Sequence, residues 1–92
     1  MTYEEMKPDC AYRVTKGNTD GGIIEGDVLY IDSERGDLFM MNCGWYSKDD
    51  DLQEKDVTDF ECEVAEDYRV FSWGGKKGLI LKAKLEAVLV GA

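Results

Sequence analysis

At 92 residues the chain has room for one domain and a modest core, with little left over for a deep catalytic cleft. Its 20 Asp and Glu outnumber 11 Lys and Arg, and the net charge of −9 disfavours nucleic-acid backbones and anionic lipid as partners. A hydrophobic fraction of 43% excludes wholesale disorder.

The opening MTYEEMKPDC is polar and Pro8 blocks regular structure, so residues 1–9 read as a short arm or a single helical turn. It has neither the basic nor the apolar region of a signal peptide, and Leu79–Leu81 and Ala87–Val90 are far too short to span a membrane. The expectation is a cytoplasmic protein. Cys10–Lys16 alternates Cys10, Tyr12 and Val14 against Ala11, Arg13 and Thr15, the pattern of a half-buried strand. Gly17–Gly22 is a loop. Asp27–Asp32, DVLYID, is apolar on both faces, as a central strand is. Ser33–Gly36 turns the chain and DLFMMN returns it, so Arg35-Gly36-Asp37 reads as a hairpin tip rather than an adhesion signal.

Ser47 ahead of Asp49, Asp50 and Asp51 fits an N-capped helical turn, because carboxylates complement the positive end of a helix. Leu52 is the only apolar anchor of that turn. Asp59–Val64, DFECEV, puts Phe60, Cys62 and Val64 on one face and Asp59, Glu61 and Glu63 on the other. Tyr68–Trp73 is a further strand, broken by Gly74-Gly75. In the tail, Leu81, Leu85, Val88 and Leu89 recur at helical spacing, which favours a helix over 76–90; a terminal strand over 78–83 is the competing reading. The whole is a mainly β (α+β) single domain over 1–92. It consists of an arm to residue 9, a small partly open barrel of about five strands over 10–73, and the C-terminal helix.

Residues 12–64 resemble the small SH3-like barrel proteins carried by phages and mobile elements of gut bacteria. Three stretches carry the resemblance: GIIEGDVLYID for the opening strand, ERGDL for a hairpin, and Gly44-Trp45-Tyr46-Ser47 leading into an acidic turn. The resemblance implies a fold and a habitat, and it brings no catalytic residues.

Without histidine, Cys–His and Ser–His pairs cannot form within the chain. Cys10, Cys43 and Cys62 are odd in number and widely spaced, which points to reduced thiols filling apolar space. The run Asp49–Asp51 lacks the glycine of a calcium loop, and the glycines follow no phosphate-loop pattern. The sequence therefore points away from an enzyme and calls for no metal or cofactor.

Candidate partner-binding residues are of two kinds. Trp45 and Tyr46 are adjacent and cannot both face inward on a strand, and Trp73 borders two glycines; exposed aromatics of this sort anchor protein interfaces. Asp49, Asp50, Asp51, Glu61 and Glu63 form the acidic set. The first reading is an intracellular protein-binding module for a basic or apolar partner. The alternative is an inhibitor that imitates nucleic acid before a host DNA-binding enzyme, which needs its carboxylates along one continuous face. Self-association through sheet edges is a third possibility.

Overall fold

The computed structural model describes residues 1–41, 46–48, 51–73 and 76–85. Its elements in chain order are a single 3₁₀ turn at Tyr3–Glu5, β1 (Tyr12–Lys16), a second 3₁₀ turn at Thr19–Gly21, β2 (Val28–Ile31), β3 (Leu38–Met41), β4 (Tyr46–Lys48), β5 (Leu52–Lys55), β6 (Glu61–Val64), β7 (Tyr68–Trp73) and β8 (Lys76–Leu81). The fold is mainly β. Among the described residues eight strands, more than the five expected, form two antiparallel sheets ordered β5-β3-β2-β1-β6 and β4-β8-β7. Neither sheet closes on itself.

The two most apolar runs sit where both faces can be covered. In β2 and β3, Leu29, Leu38 and Met40 point into one core with Tyr12, Val14, Ile23, Phe60 and Cys62. Val28, Tyr30, Phe39 and Met41 point the other way, against Leu79 of the three-stranded sheet. Continuous apolar sequence, rather than alternation, is what a strand buried on both faces requires. The β2–β3 hairpin closes as expected, with Gly36 at φ 75°. Its turn is organised from the other end, however. The buried Asp32 accepts from Glu34 N at 2.8 Å and from Arg35 N at 3.1 Å.

The N-terminal arm is not free. Met6 is buried in the first core, Tyr3 meets Phe60 edge-on at 6.3 Å, and Lys7 N donates to Tyr12 Oη at 2.8 Å. Cys10 lies outside β1 and is exposed, contrary to the alternation read from CAYRVTK, while Ala11 takes the buried place. Cys62 is buried, and burial pushes its thiol pKa up. Val64 closes β6 beyond the first core and stands 53% exposed, although the pattern placed it inside with Phe60 and Cys62.

Two expectations fail for one physical reason. Residues 76–81, read as the start of a helix, are β8; 82–85 are helical, and 86–90 lie outside the described residues. Ser47, read as a helix cap, is buried inside β4, and Leu52 belongs to β5. Of the expected acidic turn itself, Asp51 is in 3₁₀ geometry, and Asp49 and Asp50 lie outside the described residues. The cause is pairing. β8 is the middle strand between β4 and β7, with Leu79 and Ile80 buried on opposite faces, and that ladder outweighs local preferences worth about 1 kcal/mol. Gly78 permits the close approach, since a Cβ there would collide with the Ser47 carbonyl oxygen and the Phe71 ring.

A polar clasp joins the sheets on one side. Lys77 of β8 donates to Asp9 Oδ1 at 2.9 Å and to Ser33 Oγ at 3.0 Å, and its Nζ lies 3.7 Å from Asp32 Oδ1. The bond to Asp9 raises the Lys77 pKa. Burial alone would raise the Asp9 carboxyl, but hydrogen bonds from Lys77 and Ser33 outweigh it and hold Asp9 below its usual value. Asp32 is likewise held low against burial, by the turn amides and Lys77.

Candidate functional site

A groove of about 680 Å³ lies beside β6, walled by three stretches far apart in sequence. The first follows β1. Asn18 N donates to Ile23 O at 2.7 Å, and Asn18 Oδ1 accepts from Gly21 N at 3.2 Å, which folds the loop back on itself. The fully buried Ile23 pins it to the core. Gly17 has no room for a side chain, because a Cβ would sit 2.5 Å from Ile23 O and 2.8 Å from Ile24 Cα.

The second stretch is the N-terminal turn. Thr2 N and Thr2 Oγ1 donate to Glu5 Oε1 at 2.9 and 3.2 Å, and these bonds hold the Glu5 carboxyl below its usual value. With Glu5 occupied in this way, Glu4 is the acid that this turn contributes to the groove. The third stretch is residues 58–61. Phe60 turns inward and is buried, and its neighbours Thr58, Asp59 and Glu61 line the cleft. Thr2 bridges to Glu61, so the second and third walls are joined by backbone.

The groove thus sets the carboxylates of Glu4, Asp59 and Glu61 against one cation, Lys16. Lys16 Nζ is 4.0 Å from Glu61 Oε2 with both side chains well exposed, a pairing worth at most about 1 kcal/mol. Thr2, Thr19, Thr58 and Asn18 supply neutral hydrogen-bonding groups. No thiol lines the groove, which offers carboxylates and neutral hydrogen-bonding groups. Among the described residues, no three Cys, Asp or Glu side chains are placed to hold a metal ion.

The residues singled out from sequence are dispersed. Glu61 lines the groove; Glu63 is exposed two residues on, outside it. Across the strand pair, Lys16 stands opposite Glu61 and Arg13 opposite Glu63. Arg13 binds Asp67 at 2.9 Å, which raises the arginine pKa and lowers that of the aspartate. Asp51 lies next to β5, at the opposite edge of the five-stranded sheet from Glu61. Tyr46 is half-buried in β4, its ring 5.7 Å from that of Phe71. Trp73 ends β7 opposite Lys76. Trp45, Asp49, Asp50 and the Trp73 side chain lie outside the described residues.

Glu4, Asp59 and Lys16 were not foreseen as partners of Glu61. Residues 1–9 read only as a polar arm, and the apolar Tyr3 and Met6 within it, three apart, are the signal that could have shown it packing down. Comparison with protein-family models, with curated proteins and with solved structures returned no match for this chain.

Proposed function

We propose that the chain is a small acidic protein-binding module, intracellular in setting, that holds a basic segment of a partner protein in the groove beside β6. One observation carries the reading: three carboxylates, Glu4 from the N-terminal turn and Asp59 and Glu61 from residues 58–61, line one concave surface with a single lysine, in a chain of net charge −9. Opposite charge at such a surface speeds encounter and fixes orientation. The free thiols Cys10 and Cys62 support the intracellular setting. We read the five-stranded sheet, in which β1, β2, β3 and β5 run neighbour to neighbour and β6 returns to β1, as a partly open variant of the SH3-like barrel that the resemblance implies.

The nucleic-acid-mimic reading needs an unbroken row of carboxylates. Lys16 and Arg13 interrupt the row at Glu61 and Glu63, and Asp51 stands at the far edge, so a basic protein segment is the better fit. The test is fluorescence anisotropy with a labelled Lys/Arg-rich peptide. The triple variant Glu4→Gln, Asp59→Asn, Glu61→Gln is expected to weaken binding about tenfold, or about 1.4 kcal/mol. The triple Asp37→Asn, Glu54→Gln, Asp56→Asn changes the charge equally, away from the groove, and is expected to alter binding by less than about twofold. Equal losses in both variants would reduce the groove to diffuse charge, and no binding by the native chain would reject the reading.

A further inference from the structure

Residues 1–8 form a strap that is tied down at both ends. At Asp9 the backbone takes φ 59°, the one positive value at a non-glycine position among the described residues. Asp9 N donates to Ile31 O at 2.8 Å and Asp9 Oδ1 accepts from Lys77 at 2.9 Å, so this end is bound to both sheets. The other end lies along the outer edge of β6. Cys62 N donates to Met1 O at 2.9 Å, the N-terminal amine donates to Cys62 O at 2.7 Å, and Thr2 bridges Glu61.

Between these ends the strap is lightly held. Met6 is its single buried side chain and Tyr3 is half-buried against Phe60, while the other six of its eight residues are exposed. The bonds from Thr2 to Glu5 are internal to the strap and survive its release. A terminal segment with so few buried contacts opens locally far more readily than the sheets beneath it. β6 has its own reporter of that opening. Cys62 stands opposite Val14 of β1, but the Val14 backbone is engaged by Asp27 and Gly26, and the Cys62 amide bonds outward to the strap.

The strap also supplies one wall of the acidic groove, through Thr2 and Glu4. Released from β6, it would leave Asp59 and Glu61 in place and carry Glu4 away. We propose that residues 1–8 are a closing strap, and that a Lys/Arg-rich segment binds the closed form and locks it; this rests on the reading of the groove as the seat of a basic segment. A partner shifts such an equilibrium only through its differential affinity for the two states. Here the difference is Glu4. Closure gathers its carboxylate with those of Asp59 and Glu61 around one lysine, and the partner's cations relieve that like-charge crowding. The coupling is reciprocal: the partner tightens the strap, and the closed fraction of the strap sets the partner's apparent affinity.

Amide hydrogen exchange of the full chain tests this, with and without a Lys/Arg-rich peptide whose binding is established by anisotropy on the same samples. Without peptide, the Cys62 amide is expected to exchange faster than the amides of β2, which is paired on both sides. Peptide at about ten times its dissociation constant should slow Cys62 about tenfold. Cys62 does not line the groove, so the slowing reports the strap rather than direct cover by the peptide. Glu4 is exposed, and Glu4→Gln leaves the fold intact; the peptide still binds this variant through Asp59 and Glu61, but slows Cys62 by less than about threefold at the same saturation. Exchange of Cys62 at the β2 rate without peptide, an unchanged Cys62 rate in the saturated chain, or full slowing in Glu4→Gln would each overturn the proposal. Absence of peptide binding by the native chain would instead reject the groove reading, and the locking of the strap with it.

Discussion

β6 and β7 are consecutive strands at the edges of different sheets, and they are finished differently. The β6 edge is closed by the first two residues, whose backbone pairs with Glu61 and Cys62. The β7 edge is open among the described residues. The segment that closes β6 also brings Glu4 beside Asp59 and Glu61, so protecting that edge and building the acidic groove are one structural act. Among the described residues no segment returns to cover β7.

The sharpest way to break this comparison is at the centre of the three-stranded sheet. Gly78→Ala forces a Cβ against Ser47 O and the Phe71 ring, and should cost on the order of 3 kcal/mol, read as a fall in the urea midpoint. An unchanged midpoint would mean that β8 does not lie between β4 and β7. Gly17→Ala acts on the other side. Its Cβ meets the Ile23 carbonyl at 2.5 Å, so a loss of about 2 kcal/mol is expected, with weaker capture of the basic peptide because the Lys16–Thr19 wall moves.

Lys77→Met cuts the clasp between the sheets. Asp32 is buried but Asp9 is partly exposed, so the full penalty of a broken buried pair is discounted to about 1 kcal/mol. Its pH dependence has a definite sign. Asp9 and Asp32 have depressed folded-state pKa values, so their contribution is present above the unfolded value near pH 4 and is lost as pH falls through the folded one. Lys77 is raised, so its contribution is present below about pH 10 and lost as pH rises through its folded value. Thermal melts across pH should show a steep acid limb in the native chain and a shallower one in the variant. The smallest effect is expected at Glu54→Gln. A hydrogen bond with Asp37 and the charge of that neighbour raise the Glu54 pKa, so the two carboxylates oppose one another's ionisation. The substitution should give a slight gain in melting temperature at neutral pH that vanishes in acid; a loss would mean the pair does not repel.

The legible parts of the fold were those fixed by neighbours in sequence. VLYI and LFMM declare strands buried on both faces, and Gly36 declares the turn between them. Phe60 and Cys62 were read correctly as inward, but Val64 was not, because alternation does not say where a core ends. β8 stood only as the competing reading, a strand over 78–83, because of its own composition. Leu, Lys and Ala favour helix, and only the distant strands β4 and β7 override them. Of the groove, Glu61 alone could be named, because Thr2–Glu4, Lys16–Thr19 and Thr58–Glu61 share no local pattern and meet only in the folded chain.

A ¹H–¹⁵N correlation titration with the Lys/Arg-rich peptide tests the groove most directly, because it reports on both edges at once. Saturable shifts are expected at Thr2, Asn18, Thr58 and Glu61, with Val70 and Ser72 of β7 unmoved. Shifts spread over every acidic segment, or centred on β7, would contradict the assignment of recognition to the groove beside β6.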